Sequence, residues 1–140
     1  MHHVGGPLIT IIRKIAEEIK THAREEYPRE CCGMLAGREN AITKLFKIKN
    51  IARSDDEYEL DPLEQAKAFE EIDRLSLKLI GVYHSHPDHP CYPSELDKRQ
   101  AFYPDTAYFI ISLSDSPHFR LRAFMMREGK VAEEEITIVD

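Results

Sequence analysis

From about Thr10 to Glu26, Ile12, Ile15, Ile19 and Ala23 recur at helical spacing, with Glu17, Glu18, Lys20 and Arg24 mostly on the other side. This pattern predicts an amphipathic helix, and Pro28 ends it. Cys31 to Gly37 is a short apolar run that predicts a strand starting beside Glu30. Ala41 to Lys49 alternates as a second strand, with Ile42, Leu45 or Phe46, and Ile48 as its apolar positions. Arg53 to Glu57 is polar and reads as loop, and Tyr58 to Leu60 as a short edge strand. Asp61-Pro62 opens a helix with Asp as N-cap and Pro at the first helical position. Ala66, Phe69, Ile72 and Leu75 form its buried stripe. Leu77 to Tyr83 is apolar and runs into His84, a central strand that delivers histidines at its carboxyl end. Pro87, Pro90 and Pro93 prevent regular pairing in the loop that follows. Ser94 to about Tyr103 reads as a helix. Ala107 to Leu113, Phe119 to Arg127 and Val131 to Val139 read as strands, the last two joined by a turn at Glu128-Gly129-Lys130. No internal repeat, linker or low-complexity segment interrupts this order. It suits the α/β class, a mixed β-sheet flanked by helices.

Composition narrows the function classes. With 140 residues, one domain spanning 1–140 is expected, with 1–7 as a flexible terminus. Charged residues at 31% and hydrophobic ones at 42% are ordinary for a globular domain. A net charge of -6 without a long basic run argues against nucleic acid as partner. No apolar run has the length of a membrane span, and residues 1–7 lack a signal-peptide layout. Three cysteines provide no disulfide framework, so a reducing cytoplasm is the expected compartment.

The chemistry concentrates at His84-Ser85-His86-Pro87, followed by Ser94 and Asp97. Two imidazoles one residue apart on an extended segment point the same way. A carboxylate from the next element, Asp97, would close a three-ligand zinc site with one position left for water, the layout of a catalytic zinc. A pair of strand histidines without metal is the plain alternative. Ser94-x-x-Asp97 also reads as a helix capping box. Both readings suit Ser94, but they compete for the Asp97 carboxylate. The letters from His84 to His89 further match H-x-H-x-D-H, the first metal motif of metallo-β-lactamase-like hydrolases. Those enzymes need further ligands, and only His118 follows in a chain too short for their fold. A deaminase-type zinc site lacks its P-C-x-x-C.

The full spacing resembles the JAMM/MPN+ (Mov34/MPN/PAD-1) zinc metalloprotease family, whose pattern is an upstream Glu and then H-x-H-x7-S-x-x-D. Seven residues, Pro87 to Pro93, separate His86 from Ser94, and Asp97 follows. Glu30 in Pro28-Arg29-Glu30-Cys31-Cys32-Gly33 matches the upstream Glu in the manner of the compact prokaryotic members. The resemblance implies a cytidine-deaminase-like α/β fold and zinc-dependent hydrolysis of amide or isopeptide bonds. It implies one zinc ion on His84, His86 and Asp97, with Glu30 as proton carrier and Ser94 as oxyanion donor. It also implies a ubiquitin-like β-grasp sulfur-carrier protein with a Gly-Gly tail, or its conjugates, as partner. The alternatives are a zinc hydrolase of small peptides or amino-acid adducts, and a non-catalytic scaffold, against which the five intact motif residues argue.

Five neighbouring features carry expectations of their own. Tyr58-Glu59-Leu60 would pair with an extended Gly-Gly tail by strand addition, or is an ordinary edge strand. A Cys91 thiolate would take the open zinc position as a reversible regulator. Ser85 would orient the ligands or simply pack. Asp88 and His89 would touch substrate or, on the preferred reading, are solvated loop residues, and Cys31 and Cys32 read as small apolar ones.

Overall fold

The structure is a computed structural model that describes residues 8–114 and 119–140. The expectations placed on residues 1–7 and on His118 lie outside the described residues. In chain order the elements are β1 (Ile9–Ile12), α1 (Arg13–Glu26), β2 (Cys32–Arg38), β3 (Ala41–Ile48), α2 (Pro62–Arg74), β4 (Lys78–His86), α3 (Glu95–Arg99), β5 (Ala107–Ser112), β6 (Arg120–Arg127), β7 (Lys130–Glu134) and β8 (Ile136–Val139). The strands form one eight-stranded mixed sheet in the order β7-β6-β5-β4-β2-β3-β1-β8. β1 pairs in parallel with β3 and β8, and β4 with β5; the other pairs are antiparallel.

The helices divide between the two faces. Ile15, Ile19 and Ala23 of α1 join a core with Leu35, Tyr83, Phe109 and Ile111. Ala68 and Ile72 of α2 join a second core with Met34, Val82, Tyr108 and Ile110. Period-two alternation along β2, β4 and β5 sends neighbouring side chains to opposite faces. Gly33 is required where it stands: a Cβ there would collide with the Tyr83 ring and the Phe46 carbonyl oxygen. The ring lying across Gly33 puts the Tyr83 hydroxyl 2.8 Å from His22 Nδ1 on α1.

Several boundaries differ from the sequence reading. The first helix begins at Arg13, because Ile9–Ile12 is a strand and the N-cap Ile12 offers no capping side chain. The apolar spacing runs on through Ile12, so nothing in the pattern marks the change. On β3 the register shifts opposite Ala36/Gly37. Ile42 and Leu45 therefore serve the α1 side while Phe46 and Ile48 serve the α2 side. A bulge reverses the facing of all later residues, and this resolves the choice between Leu45 and Phe46. On α2, Asp61 caps the helix by accepting from the Leu63 amide at 3.0 Å, as its Asp-Pro start requires. Its buried positions include Ala68, while Ala66 is exposed. α3 stops at Arg99, ahead of Pro104, rather than continuing to Tyr103. The expected final strand is two strands: Glu135 alone separates β7 from β8, which occupy opposite ends of the sheet order. The sheet is therefore curled until its two ends are one residue apart, with α1 against β1, β5 and β8.

Candidate metal centre

β4 lies between β2 and β5, and its last residues carry the two histidines. Val82, His84 and His86 share the α2 side of the sheet by alternation. Cys32 pairs with His84, and the Ser85 amide donates to the Cys31 carbonyl at 3.1 Å. This extra pairing step carries Glu30 alongside His86. Ser85 itself faces the other way, where its hydroxyl accepts from the Cys31 amide at 2.8 Å. It clamps the segment that bears Glu30 and makes no contact with the ligating atoms.

Asp97 arrives from α3. Its Oδ2 lies 3.0 Å from His86 Nε2 and 3.2 Å from His84 Nε2, and the two Nε2 atoms are 3.1 Å apart. Capping and convergence on the imidazoles use the same oxygen. The Ser94 amide donates to Oδ2 at 2.9 Å, while the Asp97 amide donates to Ser94 Oγ at 3.0 Å. The competition expected for this carboxylate does not arise. A carboxylate oxygen accepts at more than one site, and the box turns Asp97 back toward the end of β4.

The donor set fits one small cation. Zinc forms bonds of about 2.0–2.2 Å to nitrogen and oxygen, so a single ion can reach all three atoms of so tight a triangle. The Pro90 carbonyl oxygen lies 2.8 Å from His86 Nδ1, and a carbonyl only accepts. The proton therefore sits on Nδ1, and the Nε2 lone pair faces the centre. The His84 ring is fully buried and stacks on Tyr58, with centroids 4.3 Å apart. Burial lowers the His84 pKa against the pull of Asp97, favouring the neutral, ligating imidazole. Burial would raise the Asp97 carboxyl, but the neighbouring His84 and His86 and the Ser94 amide hold it well below the usual carboxylate range.

Glu30, His86 and Ser94 line one cleft of about 470 Å³, together with Pro93, Tyr92 and Leu96. Glu30 is only 2% exposed, and its Oε1 has no hydrogen-bond partner among the described residues. Burial, partly offset by His86 and reinforced by Asp97, lifts its carboxyl to about 8. The Ser94 hydroxyl uses a lone pair to cap α3, which leaves its O–H free to donate toward the cleft.

The neighbouring residues take other places. Cys91 does not face the triad. Its Sγ lies 3.2 Å from the Ile110 carbonyl oxygen and 3.4 Å from that of Arg120, buried in the α2-side core. That orientation removes the expected thiolate regulator, because the Pro-rich loop folds its apolar side onto β5 and β6. Asp88 accepts from the Tyr27 hydroxyl at 3.3 Å, and the half-exposed His89 meets Asp56 at 3.5 Å, both outside the triad. Cys31 and Cys32 are buried, and burial pushes the Cys31 thiol up to about 12 and the Cys32 thiol well above the usual thiol range. Tyr58-Glu59-Leu60 is not an open strand on both sides. Leu60 bridges Asn50, flanked by bonds from the Ile51 amide to the Glu59 carbonyl and from the Asp61 amide to the Lys49 carbonyl, both 3.0 Å. Tyr58 and Leu60 also border an apolar cleft of about 260 Å³ with Val82, Tyr103 and Tyr108. Sequence reading places Asn50 at the start of a segment, Asn50 to Leu60, that would bind substrate, but gives neither Asn50 nor Arg29 a role of its own, since a buried polar residue in a loop leaves no periodic trace. The cluster of polar turn residues around them was the only available sign.

Comparison with known proteins agrees with this geometry. Residues 13–126 match the family described as prokaryotic homologs of the JAB domain. A CysO-cysteine peptidase from Mycobacterium tuberculosis is 32% identical over 139 residues, covering 97% of this chain and 95% of the relative. A desampylase from Haloferax volcanii is 37% identical over 103 residues, covering 69% of this chain and 74% of the relative. The solution structure of protein DSY2949 from Desulfitobacterium hafniense superposes with a TM-score of 0.88 at 34% identity, covering 94% of this chain and 93% of that one. The chain belongs to the prokaryotic branch of the JAB, or JAMM/MPN, family.

Proposed function

We propose that this protein is a zinc-dependent metallopeptidase that hydrolyses the amide bond at the C-terminal tail of a ubiquitin-like sulfur-carrier protein, or the bond joining such a carrier to a conjugate. The observation that carries the reading is a tight His84–His86–Asp97 triangle beside a buried Glu30, which shares a cleft with His86 and whose Oε1 has no hydrogen-bond partner among the described residues. The relatives' names, a CysO-cysteine peptidase and a desampylase, support the substrate class. Three buried cysteines, an odd number that builds no disulfide framework, accord with a reducing cytoplasm as the working compartment.

His84, His86 and Asp97 would hold the zinc, which would supply Lewis acidity for activating water and polarising the scissile carbonyl. Glu30 takes a proton from the attacking water and returns it to the leaving amine. Its buried position raises its proton affinity, which helps it hold the proton between the two steps. The Ser94 O–H donates to the oxygen that gains negative charge. The bridge geometry at Leu60 turns that residue's own amide and carbonyl away from Asn50. Together with Tyr58 they offer an edge to which a Gly-Gly tail adds as a strand. The main chain holds the tail, so small residues suffice next to the scissile bond.

The test is zinc content and turnover on a carrier whose Gly-Gly tail bears a C-terminal extension or a cysteine. Glu30→Gln should retain one zinc per chain and lose turnover by about 10²–10⁴-fold, as expected for a lost acid-base group. His86→Ala should lose both zinc and turnover. Full peptidase activity in the zinc-loaded Glu30→Gln variant overturns the assignment.

A further inference from the structure

Asn50 stands just past β3 and is 8% exposed. Its amide is saturated. Nδ2 donates to the Glu30 carbonyl at 2.9 Å and to the Glu57 carbonyl at 3.1 Å. Oδ1 accepts from the Ala52 amide at 2.9 Å and from the Glu59 amide at 3.0 Å. Four bonds exhaust the capacity of a primary amide, two donated and two accepted. The partners are not one local turn. One is the main chain of Glu30, and two flank Tyr58, whose ring stacks on His84. Arg29, the neighbour of Glu30, adds bonds from its guanidinium to the Asn50 carbonyl at 3.2 Å and the Ala52 carbonyl at 2.7 Å.

We infer that Asn50 is a positioning residue for hydrolysis, fixing Glu30 against the metal centre and the Tyr58–Leu60 edge against the same frame. The inference rests on the reading of the cleft as a peptidase site. Its two halves act on different steps. The bond donated to the Glu30 carbonyl locates the main chain of the proton carrier, and so governs turnover. The bonds to the Glu57 carbonyl and from the Glu59 amide locate the substrate-facing edge, and so govern tail binding. Misplacing a reacting group by about 1 Å costs on the order of 100-fold in rate. The Glu30 carboxylate makes no hydrogen bond through Oε1, so its main-chain anchors carry much of its placement.

Two variants separate the halves. Asn50→Asp is isosteric and keeps the acceptor but replaces the donor. Asn50→Ala removes both. With zinc content, kcat, KM and amide exchange measured together, Asn50→Asp should keep one zinc per chain and lose kcat by about 10–100-fold with a smaller change in KM. Asn50→Ala should lose kcat similarly, raise KM, and speed exchange at the Ala52 and Glu59 amides. If Asn50→Ala fails to fold, Asn50→Asp decides alone. Wild-type kcat in either zinc-loaded variant overturns the inference, as does a loss of activity that only follows loss of zinc. Glu30→Gln run in parallel separates the two readings. Turnover surviving in it defeats the peptidase assignment itself, whereas an inactive Glu30→Gln beside a fully active Asn50→Asp defeats only the role of Asn50.

Discussion

Ser94 shows how one hydroxyl serves stability and chemistry without conflict. Its oxygen caps α3 as an acceptor, and its hydrogen remains for the cleft. Ser94→Ala should therefore lose about 1 kcal/mol from the missing cap. It should lose about 10²–10³-fold in kcat from the missing donor. Zinc content should hold, because the bond from the Ser94 amide to Asp97 Oδ2 does not use the side chain. Ser94→Thr should restore both. Denaturant unfolding and kcat on the same preparations check this, and a stability loss without a kcat loss would remove Ser94 from the chemistry. His22 illustrates a different residue-scale effect. Burial lowers its pKa below 6.5, and its Nδ1 meets the Tyr83 hydroxyl in the α1-side core. A depressed histidine pKa means that the unfolded chain takes up the proton first. Its contribution is thus complete above 6.5 and is lost as pH falls from there through the folded value. Metal-free wild-type protein should lose stability across that window more steeply than His22→Gln. Equal slopes in denaturant titrations at pH 7.5 and 5.5, values chosen to be about one unit either side of the free histidine pKa, would count against the linkage.

At the scale of elements, what was legible follows from what each element needs locally. The H-x-H spacing places His84 and His86 on one face because strand period is two, and Asp61-Pro62 announces α2 because its cap is written in the side chains. The seven-residue spacer to Ser94 was readable as a motif, but the folding of that spacer was not. Its shape is set from a distance. Arg122 on β6 donates to the Cys91 carbonyl at 2.8 Å and pairs with Glu133 on β7, and Cys91 reaches the main chain of β5 and β6. Cys91 therefore looked like a ligand by proximity in sequence and is an anchor in space. The start of α1 was unreadable because Ile12 continues the helical spacing into a strand without a polar cap. The choice between Leu45 and Phe46 was unreadable because a bulge leaves no composition signature. The bonding role of Asn50 was unreadable for a related reason: its four partners are main-chain groups, and main-chain groups are invisible in a sequence.

At the scale of the whole molecule, the sheet order explains why the last strand matters to a core it barely enters. β8 pairs with β1 through four residues on each side, and Ile9 and Ile11 of β1 lie in the α1-side core. β8 covers the outer side of β1, and Ile136 packs against the core at that edge. Removing residues 136–140 would leave a row of unpaired amides and carbonyls on β1, an edge that invites association. It would also take away the ion pair of Arg13 with Asp140. Each lost main-chain hydrogen bond contributes about 0.5–1.5 kcal/mol net, so a four-residue ladder matters against a total of about 5–15 kcal/mol. The truncated chain should melt well below the full one and form soluble oligomers or precipitate on concentration. The metal centre is built on β4, four places away from β8 in the sheet order. Molecules that remain folded should therefore still bind one zinc each. Thermal unfolding, light scattering and zinc content measured on the same samples separate the two effects. An unchanged melting temperature would show that β1 needs no cover, and loss of zinc from the folded fraction would show that the far end of the sheet helps to hold the site.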